Sequence, residues 1–213
     1  VAVALLGGAV IVSMWPRTRS DGSRLPTGPA GPCPSGFLEP LGRGAQVIER
    51  LRATDEGARW LRELGDTEVR LCFGTIDVPV VSEDRALLLD ARADDAETAA
   101  RAGHLIAHVV RGMPFPARVS ADADCAAVVD GALAAEAQAY AVELRLRRAL
   151  GVAGGRYEFE QAFWAAGDAG EAQILRYLRE HPDGGPGLDG LGTAYRQRCD
   201  IARAEARRDG MDR

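Results

Sequence analysis

The chain lacks the residue patterns of several common chemistries. Its four cysteines, Cys33, Cys72, Cys125 and Cys199, are widely spaced and form no C-x-x-C pair. That disfavours a cysteine zinc site and a thioredoxin-like redox motif. No G-x-S-x-G elbow is present, and no cysteine has a histidine nearby in sequence, so no serine or cysteine nucleophile stands out. The glycine-rich run at Gly184–Gly192 is not followed by Lys-Ser or Lys-Thr, which excludes a phosphate-binding P-loop. Aromatic residues make up only 6% of the chain, the net charge is -5, and no basic patch interleaves with aromatics. Nucleic acid is therefore not an expected partner. No internal repeat is visible. Histidine is scarce, with three copies, yet two of them, His104 and His108, stand four residues apart.

What is present fits a globular protein. Of 213 residues, 46% are apolar and 27% charged, enough to bury a core, and the length suits one domain with appendages. Arginines alternate with acids along helical stretches, as on solvated faces. If the domain lies outside the cytoplasm, one or two disulfides are open, and sequence does not separate the three full pairings. Buried free thiols are an equal expectation for Cys72 and Cys125, which sit in apolar surroundings.

Residues 1–15 are uncharged and strongly apolar. The run is shorter than the roughly 20 residues that cross a bilayer comfortably, but no A-x-A cleavage site follows closely. It reads as a single uncleaved membrane anchor. Arg17, Arg19 and Arg24 come next, and the positive-inside rule would keep them cytoplasmic unless charge preceding the segment outweighs them. An extracytoplasmic domain is the preferred expectation. Residues 16–40, rich in Pro, Gly and Ser, read as an extended linker. The folded domain is expected over 41–208.

Within it, the spacing predicts a short helix over 46–52. Thr54 caps a second, with Trp60, Leu61 and Leu64 as its apolar stripe and Gly65 at its end. Strands are predicted over 68–73, with Val69, Leu71 and Phe73 on one face, over 76–81, with Pro79 pushing it to an edge, and over 85–90. Asp94 or Asp95 opens a helix to Arg111. Gly112, Pro114 and Pro116 stop it, and a long helix capped by Asp122 or Asp124 runs to about Leu150. A helix over 156–166, a capping-box spacing at Asp168–Glu171 opening another to Glu180, a glycine-rich turn over 183–190 and a last helix over 191–208 complete the chain. His181 stands at a helix end, where the dipole favours it. The fold class is α+β, mostly helical, with a small sheet beside one helix and further helices at the C-terminus.

On the 94–111 helix, residues four apart share a face, so both imidazoles can point at one centre, as two zinc-binding histidines do. His104-Leu105-Ile106-Ala107-His108 resembles the H-E-x-x-H helix of zinc metallopeptidases, with Leu105 where the general-base Glu stands. With the helix–strands–helix order around it, residues 45–150 are similar to the compact zincin-like putative metallopeptidase domains of bacteria. The resemblance implies zinc as cofactor, a strand edge lining a peptide cleft, and a third ligand from the next long helix. Glu136, in Glu136-Ala-Gln-Ala-Tyr140, fits that pattern; Glu143 and Asp130 are the alternatives. Leu105 can take no proton, and general-base help is worth about 10² to 10⁴ in rate. The expectation is a membrane-tethered pseudopeptidase that binds peptide or protein. The alternatives are a metal-free helical scaffold and an active hydrolase with a substitute base.

Overall fold

The structure, a computed structural model, describes residues 30–82 and 84–211. The apolar segment 1–15 lies outside the described residues. Among the described residues, no helix is long and apolar enough to cross a membrane. The elements are α1 (Arg43–Arg52), α2 (Asp55–Leu64), β1 (Arg70–Gly74), β2 (Val80–Val81), β3 (Ala86–Asp90), α3 (Asp95–Arg111), α4 (Cys125–Ala149), α5 (Glu160–Ala165), α6 (Gly170–Glu180), β4 (Gly184–Gly185), β5 (Leu188–Asp189) and α7 (Leu191–Met211). The α+β, mostly helical class read from the sequence holds.

Three strands form a sheet in the order β1-β3-β2, with β1 parallel and β2 antiparallel to β3. Pro79 stands directly before the short edge strand, as its missing N–H requires. The alternation read in β1 is realised. Leu71 and Phe73 join Leu87 and Leu89 of β3 against the helices. Cys72, Ala86 and Leu88 face the other way and meet Phe37. A strand covered on both faces reads as an unbroken apolar run, which is the pattern of Ala86–Leu89. The cover comes from residues inside the stretch read as linker. Leu38 bridges Phe73, Phe37 is buried, and Cys33 is disulfide-bonded to Cys72. A second disulfide joins Cys125 to Cys199, so the free-thiol reading of Cys72 and Cys125 is corrected.

The caps explain the helix starts. Thr54 accepts from Gly57 N, Asp94 from Glu97 N and Asp124 from Ala126 N. Three local expectations differ. The helix expected over 156–166 is only Glu160–Ala165, leaving Arg156 and Tyr157 in a loop. No side chain caps α6; a 3-10 turn at Gly167–Ala169 leads into it instead of a capping box. The glycine turn over 183–190 holds the small β4–β5 hairpin, in which Gly187 takes φ 75°, a left-handed conformation that suits glycine.

Helix α4 is the axis of the molecule. One face packs with α2 and α3 and, through Ala139, Val142 and Leu146, joins the core cluster they share with α1 and the sheet. The other packs with α5, α6 and α7 through Leu133, Ala137, Ala141 and Leu144. A helix buried on two sides carries little amphipathic signal. It crosses α3 very closely at Gly103, where an added Cβ would lie 2.0 Å from a methyl carbon of Leu146. The next residue after that contact is His104.

Candidate metal centre

His104 and His108 project from α3 toward α4, and Glu136 reaches back from α4 between them. The two imidazole Nε2 atoms are 3.1 Å apart. Glu136 Oε2 lies 3.3 Å from His104 Nε2 and 3.4 Å from His108 Nε2. The three residues predicted as metal ligands therefore converge, and as a group they can hold a metal ion. All three line one cleft. His108 and Glu136 are each 5% exposed, so little water reaches their donor atoms.

The alternatives for the third ligand separate cleanly. Asp130 lies at the surface, paired with Arg179 at 2.6 Å. Glu143 is buried, but it sits on the other side of His104, with Oε2 3.1 Å from Nδ1. Charge rather than a straight hydrogen bond sets that approach, since the ring N–H points off the line. Glu143 therefore orients the ring from behind. Tyr157 donates to Glu143 Oε1 at 2.6 Å, and Arg156 Nε donates to the Tyr157 hydroxyl at 3.1 Å. Arg156 is anchored by Glu97, 3.3 Å away, a carboxylate that also binds Arg101 and Arg147. A part-buried relay thus runs from Glu97 of α3 through the 150s loop to His104. Tyr140 packs edge-on against the His104 ring at 4.7 Å between centroids.

The electrostatics follow from this crowding. Burial opposes charge on His104, but Glu136 and Glu143 outweigh it and raise its pKa to about 9. Burial likewise opposes charge on Glu136, and the two histidines overcome it, lowering its pKa. Glu143 is also lowered against burial, chiefly by His104. Without an ion, the site is a buried ion cluster in which a proton on His104 stands in for the cation. A metal would compete with that proton for the same nitrogen.

Leu105 is buried at 2% exposure, packs in the core beside Ile106, and contributes to the cleft wall. No carboxylate stands at that position. Other acids lining the cleft are Asp77, Glu143 and Asp189. Asp77 pairs with Arg92 at 2.8 Å. Asp189 is exposed at the cleft mouth, and its pKa is raised by partial desolvation and by Asp77. His181 lies elsewhere, stacked on Tyr177, with Nδ1 3.0 Å from a carbonyl of the last turn of α6.

Tyr195, from α7, was not legible as a site residue. Its hydroxyl donates to Glu136 Oε1 across 59 residues of sequence. Nothing local marks it, since its partner is fixed only by how α7 packs on α4. Tyr157 likewise showed only as one aromatic among several. Comparison with family models, curated proteins and solved structures finds no match for the chain.

Proposed function

We propose that this chain is a membrane-tethered, metallopeptidase-like domain that binds zinc through His104, His108 and Glu136 and engages peptide or protein without efficient hydrolysis. One observation carries the metal reading. Tetrahedral zinc with ligand bonds of about 2.0–2.1 Å needs donor atoms about 3.3–3.4 Å apart. The three donor pairs stand 3.1, 3.3 and 3.4 Å apart. A His-His-Glu set is also the donor chemistry of catalytic zinc sites that keep a fourth position open. When bound, such an ion supplies Lewis acidity and lowers the pKa of a coordinated water.

The chain's own residues bind and orient but do not move a proton. Leu105 leaves the position beside His104 without a base. The cleft wall includes Val80 and Val81 of β2, an edge strand that pairs only with β3 among the described residues. An extended peptide could add to that edge. The two disulfides favour an oxidising compartment, consistent with a domain outside the cytoplasm.

Metal analysis of the purified whole chain tests the proposal. One equivalent of zinc, lost in His104→Ala and Glu136→Gln, is expected. A metal-free parent that also takes up no added zinc would leave the scaffold reading, in which the cluster is structural. A second reading, an active hydrolase, is favoured by Asp189. It is an acid of the same cleft with a raised pKa, as a general base requires. Chelator-sensitive peptide cleavage by the parent, abolished in Asp189→Asn, would select it.

A further inference from the structure

Glu136 turns only one oxygen, Oε2, toward the imidazoles. Its other oxygen, Oε1, accepts the hydrogen bond from Tyr195. A ligand carboxylate that is not held can rotate away or change how many oxygens it presents, and partners outside the ligand set commonly prevent this. Tyr195 is 1% exposed, so its hydroxyl is shielded from water that would compete for Oε1.

The placement of Tyr195 has two supports. Its ring stacks on Phe115 at 6.0 Å between centroids, with 13° between the planes. Four residues on, on the same face of α7, is Cys199, whose disulfide partner Cys125 opens α4. Glu136 is on that same helix, about three turns further along. The covalent link thus joins the helix that carries the ligand to the helix that carries its partner.

This step rests on the metal reading above. We propose that Tyr195 is a positioning residue for the metal ligand Glu136, and that the Cys125–Cys199 disulfide keeps its hydroxyl there. Helix α7 lies beyond residues 45–150, where the metallopeptidase resemblance sits. On this reading it is part of the centre and not an appendage.

The test uses the whole chain in five forms: the parent, Tyr195→Phe, the double variant Cys125→Ala/Cys199→Ala, that double variant with Tyr195→Phe added, and Ile174→Val. Ile174 is fully buried in the same core and has no polar side-chain atom that could bond Glu136, so Ile174→Val reports plain loss of packing. Zinc affinity is read by competition with a chromophoric chelator, cobalt coordination by its visible absorption, and melting temperature in the metal-free state. Tyr195→Phe is expected to weaken zinc binding about tenfold or more and to alter the cobalt spectrum. Ile174→Val should lower the melting temperature and leave both metal readouts at parent values. The cysteine variant should weaken zinc binding too, and adding Tyr195→Phe to it should weaken it no further. Parent-like affinity and spectrum in Tyr195→Phe would overturn the inference while leaving the metal reading intact. Fully additive losses would overturn the disulfide's part in it. A parent chain that takes up neither ion would end the metal reading and this inference with it.

Discussion

Glu143 Oε2 lies 3.1 Å from Nδ1 of His104, on the opposite edge of the ring from Glu136. The imidazole is thus clamped between two buried carboxylates, one on the side of His108 and one behind. A carboxylate behind a ligand histidine fixes the ring and raises its basicity. Glu143→Gln keeps the shape and the bond from Tyr157 but removes the charge. It should weaken zinc binding about 10- to 100-fold, as measured by chelator competition. Unchanged affinity would mean that Glu143 serves packing alone.

Leu105→Glu restores a carboxylate at the position that faces the cleft. Peptide hydrolysis sensitive to chelator should rise by about 10² to 10⁴ over the parent. Because Leu105 is buried in the core, the same change should lower thermal stability. A parent that already cleaves as well as the variant would contradict the pseudopeptidase reading.

Gly103→Ala tests whether the close crossing of α3 and α4 sets the site. The new methyl would meet Leu146, itself fully buried, so the pair must shift apart or repack. Such overpacking typically costs about 1–3 kcal/mol. The expected readouts are a melting temperature lowered by several degrees and weaker zinc binding, since His104 is the next residue. A stabilised variant with parent affinity would show that the helices have room to spare.

The buried ion cluster makes stability depend on pH. For His104 the folded pKa, about 9, lies above the ordinary 6.5, so its contribution is complete below about 6.5 and is lost as pH rises through 9. Glu136 and Glu143 are lowered from 4.5, so theirs is complete above 4.5 and is lost on further acidification. The metal-free chain should therefore melt highest between about pH 4.5 and 6.5, where both contributions are complete, and melt lower by pH 9.5. Apparent zinc affinity should move the other way, rising up to about tenfold per pH unit until His104 deprotonates. Melting curves and zinc competition across this range check both signs. In His104→Ala the alkaline loss of stability should disappear.

Local sequence carried a good deal of the fold and part of the site. The i, i+4 spacing of His104 and His108 on a helix capped by Asp94 is a short-range property, and the helix it forms runs from Asp95 to Arg111. The period-2 pattern of Leu71 and Phe73, and Pro79 at the edge, likewise depend on neighbours in the chain. The histidine pair and the long helix after it could therefore be read in advance, and with them a set of three possible third ligands.

The resemblance preferred Glu136 to Glu143 and Asp130, but helical spacing alone does not separate the three. All three lie on one helix, and which face meets α3 depends on a crossing fixed by Gly103 against Leu146. The disulfide pairings, the packing of Cys33 and Phe37 against the sheet, and the bond from Tyr195 to Glu136 are also long-range. Each depends on where separate elements come to rest, which follows from packing a whole core and not from the propensity of any segment. Sequence by itself determined that two imidazoles share a helix face with leucine beside them. Only the tertiary structure brought Glu136 to both imidazoles, set Glu143 behind one of them, and put the Tyr195 hydroxyl on Glu136.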